Sequence, residues 1–260
     1  MQWVLQDFED MRKLAGALQR ADLPHSWHKV VPFVGDLHPA PDIPDRDDVI
    51  LMGSYTLWRY AEREGLSPGV FRIRPFLHEV PWRPHMLNGA AEVMRLRDVA
   101  RHLPGDDAQG CFMRPVSDAK EVAGGVRSAG EIREMATKAL SLPPEDIPVG
   151  ALTPDTEILL APAARILAEW RLWVVADRVV TWSLYVDGGR VTYRAEIADD
   201  ALAFAEALVA ANPGYAPAYV MDVCRTPDGL RLLETNCLNA AGFYAADLDR
   251  LVDALEALRA

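Results

Sequence analysis

Leu5, Phe8, Leu14 and Leu18 fall close to helical spacing, and the pattern predicts an amphipathic helix over residues 5–20. Lys29 to Val34 reads as a short strand, and the Pro- and Asp-rich stretch over 39–48 as a loop. Val49 to Met52 is an apolar run that ends at Gly53. Ser54 then stands where an N-cap is wanted for a helix over 55–64, and Gly65 stands where that helix should stop. Strand, glycine turn and helix in that order are the marks of an α/β region. This first region closes near Leu103-Pro104-Gly105, so the expected division is 1–105 and 106–260.

The second region is richer in strands. Gly110 to Arg114 and Glu157 to Ala161 read as strands, and Ser128 to Leu140 as a helix with Ser128 and Glu131 at capping-box spacing. Ala168–Val175 and Val179–Val186 form a hairpin expected to turn at Asp177-Arg178. Residues 200–211 are helical, Tyr219–Arg225 and Leu230–Asn236 form a second hairpin, and 246–258 make a closing amphipathic helix.

The second hairpin carries the chemistry. Thr226-Pro-Asp-Gly-Leu230 suits a three-residue loop, with Pro227 at the first turn position and Gly229 at the left-handed one. That loop pairs Thr226 with Leu230 and sets Asp222 opposite Glu234. The two-residue period of a strand then puts Asp222, Glu234 and Asn236 on one face, whereas a two-residue loop would separate the carboxylates. Opposed carboxylates repel, so a cation, a proton or solvent must compensate. Mg²⁺ is one answer, since it takes hard oxygen ligands and completes its shell with phosphates. A solvated acidic face on an edge hairpin is the other.

Composition narrows the classes. The formal charge of −11 opposes broad binding of a phosphate backbone, which needs a basic stripe, but leaves room for a small anion in a local basic cleft. The three cysteines are too few and too scattered for a metal knot and read as reduced, packed thiols. Of the six histidines, His25 and His28 are three apart, but Pro24 and Ser26-Trp27 do not suggest a metal-binding helix, and all six are read as non-functional. Residues 1–10 show no signal-peptide pattern, and no apolar run reaches a membrane span, so a cytoplasmic location is the default expectation. P-loop and G-x-G-x-x-G motifs are absent.

Tyr219-Val-Met-Asp-Val-Cys followed by Leu-Leu-Glu-Thr-Asn236 resembles the metal-binding hairpin of the ATP-grasp superfamily. Phe112 to Lys120, Ala168 to Val175 and Asn236 to Tyr244 resemble a short, divergent clade distinguished by an arginine and lysines. Met52 to Leu57 and Ser67 to Phe71 resemble that clade's N-terminal region. The resemblance implies an α+β chain: a small α/β region followed by an ATP-grasp unit of two α/β lobes with ATP between its sheets.

It also implies roles. Asp222, Glu234 and Asn236 would hold Mg²⁺, and Arg114 and Lys120 would contact phosphates. Ile158 to Pro162 would meet the adenine edge through Leu160 and Ala161; many members carry an acidic residue there for the ribose, Ala161-Pro-Ala-Ala lacks it, and Glu169 is the candidate for that contact. Arg171, flanked on its strand by Trp170 and Trp173, would face the phosphates or an acyl phosphate, and Asn239 would orient substrate. Ala123 to Val126 is a candidate loop over the phosphates.

The implied reaction is ligation. ATP activates a small-molecule or peptide carboxylate for attack by an amine or similar nucleophile, with neither nucleic acid nor membrane as partner. The alternatives are a non-catalytic nucleotide-binding or interaction module on the same fold, and a structural α/β protein with an acidic edge hairpin.

Overall fold

The computed structural model describes residues 1–32, 34–103, 110–116, 124–143, 146–148 and 151–259. Contacts divide the chain into two compact units. One joins Met1–Phe76 with Ile166–Ala260, and the other is Leu77–Arg165.

The first unit opens with β1 (Gln2–Gln6), α1 (Glu9–Arg20), β2 (His25–Val30), β3 (Leu37–His38), β4 (Val49–Met52), α2 (Thr56–Glu64) and β5 (Pro68–Gly69). Their sheet has the order β3-β2-β1-β4-β5, and β1 pairs in parallel with β2 and β4. The helix expected over 5–20 therefore begins only at Glu9, and Leu5 belongs to a strand. Trp3-Val4-Leu5 is buried on both faces, so it shows neither helical nor alternating period. The strand expected over 29–34 lies earlier, at His25–Val30. Gly65 stops α2 in a left-handed conformation, φ 62°, as expected. Ser54 does not cap it: the helix begins at Thr56 and Tyr55 occupies the cap position without a side-chain bond.

The same unit continues with β10 (Ala168–Val175), β11 (Arg178–Asp187), β12 (Arg190–Arg194), α5 (Asp199–Ala211), β13 (Ala218–Thr226), β14 (Gly229–Asn236) and α6 (Leu248–Glu256). The strands form an antiparallel sheet in the order β12-β11-β10-β13-β14. The β10–β11 loop is Ala176-Asp177, not Asp177-Arg178, because Val175 pairs with Arg178. Both loop residues adopt positive φ, 48° and 55°, as a two-residue hairpin requires. The Asp177 carboxylate accepts the Gly214 amide and anchors the turn. One core serves both sheets: Trp3, Leu5, Leu14 and Leu18 meet Trp173, Val220, Phe243 and Leu251.

The second unit contains β6 (Glu92–Arg95), α3 (Leu96–His102), β7 (Cys111–Pro115), β8 (Gly125–Arg127), α4 (Ala129–Ser141) and β9 (Glu157–Pro162). Its sheet has the order β6-β9-β7-β8. α4 carries the expected capping box, with the Ser128 side chain accepting the Glu131 amide and Glu131 accepting the Ser128 amide. Leu96, Val99, Met113, Ile132, Ala136 and Ile158 make its core. Among the described residues no helix is long and apolar enough to cross a membrane.

Candidate active site

The hairpin β13–β14 reaches the expected pairing by an unexpected route. Thr226 pairs with Gly229, so the loop has two residues, and Cys224 faces Arg231. The three-residue loop is thus corrected. Gly229 takes φ 112°, a value that side chains disfavour. The ladder then shifts between Asp222 and Val223: Val223 faces Leu232, Asp222 faces Glu234, and Leu233 is the extra residue of a β-bulge. The bulge cancels the one-residue offset of the turn. Asp222, Glu234 and Asn236 meet as a result. The Asn236 amide nitrogen lies 3.0 Å from Glu234 Oε1 and 3.4 Å from Asp222 Oδ2.

Arg171 is the cross-strand neighbour of Asp222 on the other side, on β10. Its Nε donates to Oδ1 at 2.9 Å and a terminal nitrogen donates to Oδ2 at 2.7 Å. Asp222 is 0% exposed and Arg171 is 8% exposed, so the pair is desolvated. Burial opposes the guanidinium's charge, but Asp222 outweighs it and the Arg171 pKa is raised.

Aromatic rings complete the face. The Arg171 guanidinium lies over Tyr244 at 4.9 Å and Tyr185 at 5.6 Å from the ring centres. Tyr244 stacks on Tyr185 at 5.2 Å and on Tyr193 at 4.9 Å. The Tyr185 hydroxyl donates to Glu169, and burial, with Asp222 and Glu169 nearby, holds that hydroxyl's pKa above its usual range. Burial also raises the Glu169 carboxyl; the Tyr185 bond opposes this, while Asp222 and Glu234 add to it. Sequence reasoning missed Tyr185 and Tyr193. Tyr185 reaches this face at a bulge, where Glu169 faces Val186 but Trp170 faces Leu184, and no residue pattern announces that shift.

Asn239 is buried and fully engaged. Its amide nitrogen donates to Leu51 O at 2.6 Å, its oxygen accepts the Phe71 amide at 2.7 Å, and its carbonyl accepts the Gly53 amide. It ties the segment after β14 to the end of β4.

In the other unit, Arg114 lies on β7 opposite Leu159, with its Nε donating to Pro115 O. Leu160 pairs with both Glu92 and Met113, whereas Ala161 pairs with Phe112 past the end of β6. A cleft of about 520 Å³ opens there, lined by Ala90, Glu92, Leu160, Ala161 and Pro162 among others. Lys120 and Ala123 lie outside the described residues.

The family model for the ATP-grasp domain, R-2-K clade family 3, matches residues 2–255. The chain belongs to that family. Solved structures similar to this ATP-grasp chain include the D-cycloserine synthetase DcsG, with TM-score 0.61, 14% identity and 99% of each chain covered. A RimK-domain ATP-grasp protein from Sphaerobacter thermophilus gives TM-score 0.60 and 15% identity over 99% of this chain and 95% of that one. The ATP-grasp ligase PsnB, complexed with a phosphomimetic variant of its minimal precursor, Mg and ADP, gives TM-score 0.52 and 15% identity over 100% and 98%. No curated protein matches the sequence.

The oxygen donors of Asp222, Glu234 and Asn236 suit Mg²⁺ in kind: two carboxylates and an amide whose oxygen turns inward if the side chain rotates by half a turn. Among the described residues no three His, Cys, Asp or Glu side chains cluster as metal ligands, and the third donor here is an amide.

Proposed function

We propose that this ATP-grasp chain is an ATP- and Mg²⁺-dependent ligase that activates a carboxylate as an acyl phosphate for attack by an amine or similar nucleophile. The observation that carries the reading is the meeting of Asp222, Glu234 and Asn236 beside Arg171 on one sheet face. When bound, Mg²⁺ supplies charge neutralisation for the phosphates. Glu234 and Asn236 would hold it, with Asp222 as the third donor. Arg171, fixed by Asp222, presents an oriented cation to oxygens that gain charge during phosphoryl and acyl transfer.

Arg114 and Lys120 take the basic phosphate contacts, and the strand end at Leu160 and Ala161 takes the adenine edge. The cleft beside that strand end agrees with this. Asn239 acts as a positioning residue, since its amide is spent on Leu51 and Phe71 and it holds the segment that follows Asn236. The likeness to PsnB, a ligase seen with a precursor, Mg and ADP, and to a D-cycloserine synthetase supports either a peptide or a small-molecule substrate.

Calorimetric titration with Mg-ATP tests the site. Glu234→Ala should weaken binding more than tenfold, and unchanged binding would overturn the assignment. Arg171 closing on both Asp222 oxygens favours a second reading, a nucleotide-binding module without turnover, because that carboxylate then serves the sheet. Phosphate release with pooled amino acids supports the ligase; tight Mg-ATP binding without release under a wide substrate pool supports the module.

A further inference from the structure

Glu169 sits on β10 two residues before Arg171 and faces the same way. Its direct neighbours across the sheet are Cys224 and Val186, which carry no charge. Among the described residues it forms no ion pair, and its carboxylate receives the Tyr185 hydroxyl. The Arg171 fork is directed at Asp222. A metal held by Asp222, Glu234 and Asn236 would compensate the β13–β14 side of the face. The Glu169 carboxylate bonds Tyr185 on β11 instead, and Arg171, committed to Asp222, offsets its charge only in part, so a second cation is wanted there.

The surroundings fit an ammonium group. Tyr185 bonds Glu169 through its hydroxyl and stacks its ring on Tyr244, and those two rings already accept one cation, the Arg171 guanidinium. Aromatic faces together with a carboxylate are the chemistry that binds ammonium ions. Tyr244 is held in place at a cost: its φ is 51°, a strained value for a tyrosine. Lys13 Nζ donates to the Tyr244 carbonyl, and the Ala245 amide donates to Ser183 Oγ. Beyond it, Tyr193 on the edge strand β12 stacks at 8° to the Tyr244 ring and is 55% exposed. It extends the shelf toward solvent.

We infer that Glu169, Tyr185 and Tyr244 form the subsite that binds the nucleophile in its primary ammonium form, which gives up one proton to the Glu169 carboxylate before the free amine attacks, with Tyr193 carrying the apolar part of that molecule. The inference rests on the ligase reading and gives it a nucleophile class, since a neutral hydroxyl nucleophile would leave Glu169 without a cation. It also assigns Glu169 a partner other than the ribose.

The test titrates n-butylammonium, and 1-butanol as its neutral counterpart, into protein with isotope-labelled tyrosines, followed by NMR, with Mg-ADP binding measured on the same samples. n-Butylammonium should shift tyrosine signals saturably while 1-butanol does not. Glu169→Gln should weaken ammonium binding about tenfold or more and leave Mg-ADP binding within twofold. Tyr193→Ala, a surface change, should weaken ammonium binding several-fold in a folded protein. Equal responses to the two probes, or Glu169→Gln weakening Mg-ADP rather than ammonium, would overturn the inference. Failure of the unmodified protein to bind Mg-ADP at all would instead strike the ligase reading.

Discussion

Arg171 and Asp222 are direct neighbours on adjacent central strands, and their side chains close a two-pronged ion pair at 2.9 and 2.7 Å with almost no exposure to solvent. The pair fixes the guanidinium in place before any ligand arrives. It also ties the stability of the sheet to the electrostatics of the site.

Removing one partner should therefore cost more than the pair itself contributes. Arg171→Met leaves the Asp222 carboxylate buried without its counter-ion, and breaking such a pair costs about 3–5 kcal/mol. The double substitution Arg171→Met with Asp222→Leu removes both charges and should recover much of that loss. Urea unfolding of the three proteins measures it. A single variant within about 1 kcal/mol of the unmodified protein would show that the charge is not buried in solution.

The pairing of Asp222 with Glu234 was legible in the sequence, but not for the reason the turn suggested. Thr226-Pro-Asp-Gly-Leu230 looks like a three-residue loop, and the real loop is shorter by one residue. Leu233 bulges and restores the register, which follows from packing along the whole sheet rather than from the turn. Gly65, the Ser128–Glu131 box and the apolar run Val49–Met52 were readable because each acts through its immediate neighbours. β1 was not, because a strand buried on both faces has no alternation to read. Tyr185 and Tyr193 were invisible for a different reason. Their site role comes from stacking on Tyr244, which lies 51 or more positions later in the chain.

Gly229 offers a test confined to backbone. At φ 112° a side chain is disfavoured, yet the nearest atom to an added Cβ is the Arg231 side chain at 3.8 Å. Gly229→Ala meets strain without crowding and should destabilise the protein by about 1–3 kcal/mol. Thermal unfolding should show the loss. An unchanged Tm would mean that the turn relaxes to a three-residue form, and that the Leu233 bulge is lost with it.

Asn239 should prove structurally essential. Asn239→Leu keeps the branched shape and the number of side-chain heavy atoms but leaves the Leu51 carbonyl and the Phe71 amide without their bonds inside the core. Each such buried group costs about 1–3 kcal/mol, so the variant should lose several kcal/mol. Chemical unfolding tests this. Because the role is positional, Mg-ADP affinity measured well below the melting temperature should fall less than for Glu234→Ala.

Glu169 makes stability depend on pH in a stated direction. Its folded-state pKa lies above the ordinary 4.5, because burial, with Asp222 and Glu234 nearby, disfavours its charge. Below 4.5 the folded and unfolded chains both hold the proton, and the group has no effect on the balance. As the pH climbs past that value, the unfolded chain releases its proton first. The folded chain then binds more protons, so stability falls until the folded carboxyl ionises too, and is level above that point. Glu169→Gln lacks this loss. In metal-free buffer its Tm should match or trail that of the unmodified protein at pH 4 and gain on it as the pH rises above 4.5, until the folded carboxyl ionises. A gap that stays constant over that range would mean that Glu169 titrates in the folded protein as it does in the unfolded chain. The acidic face would then be more open to water than its burial indicates, and the case for a bound cation beside Tyr185 would weaken with it.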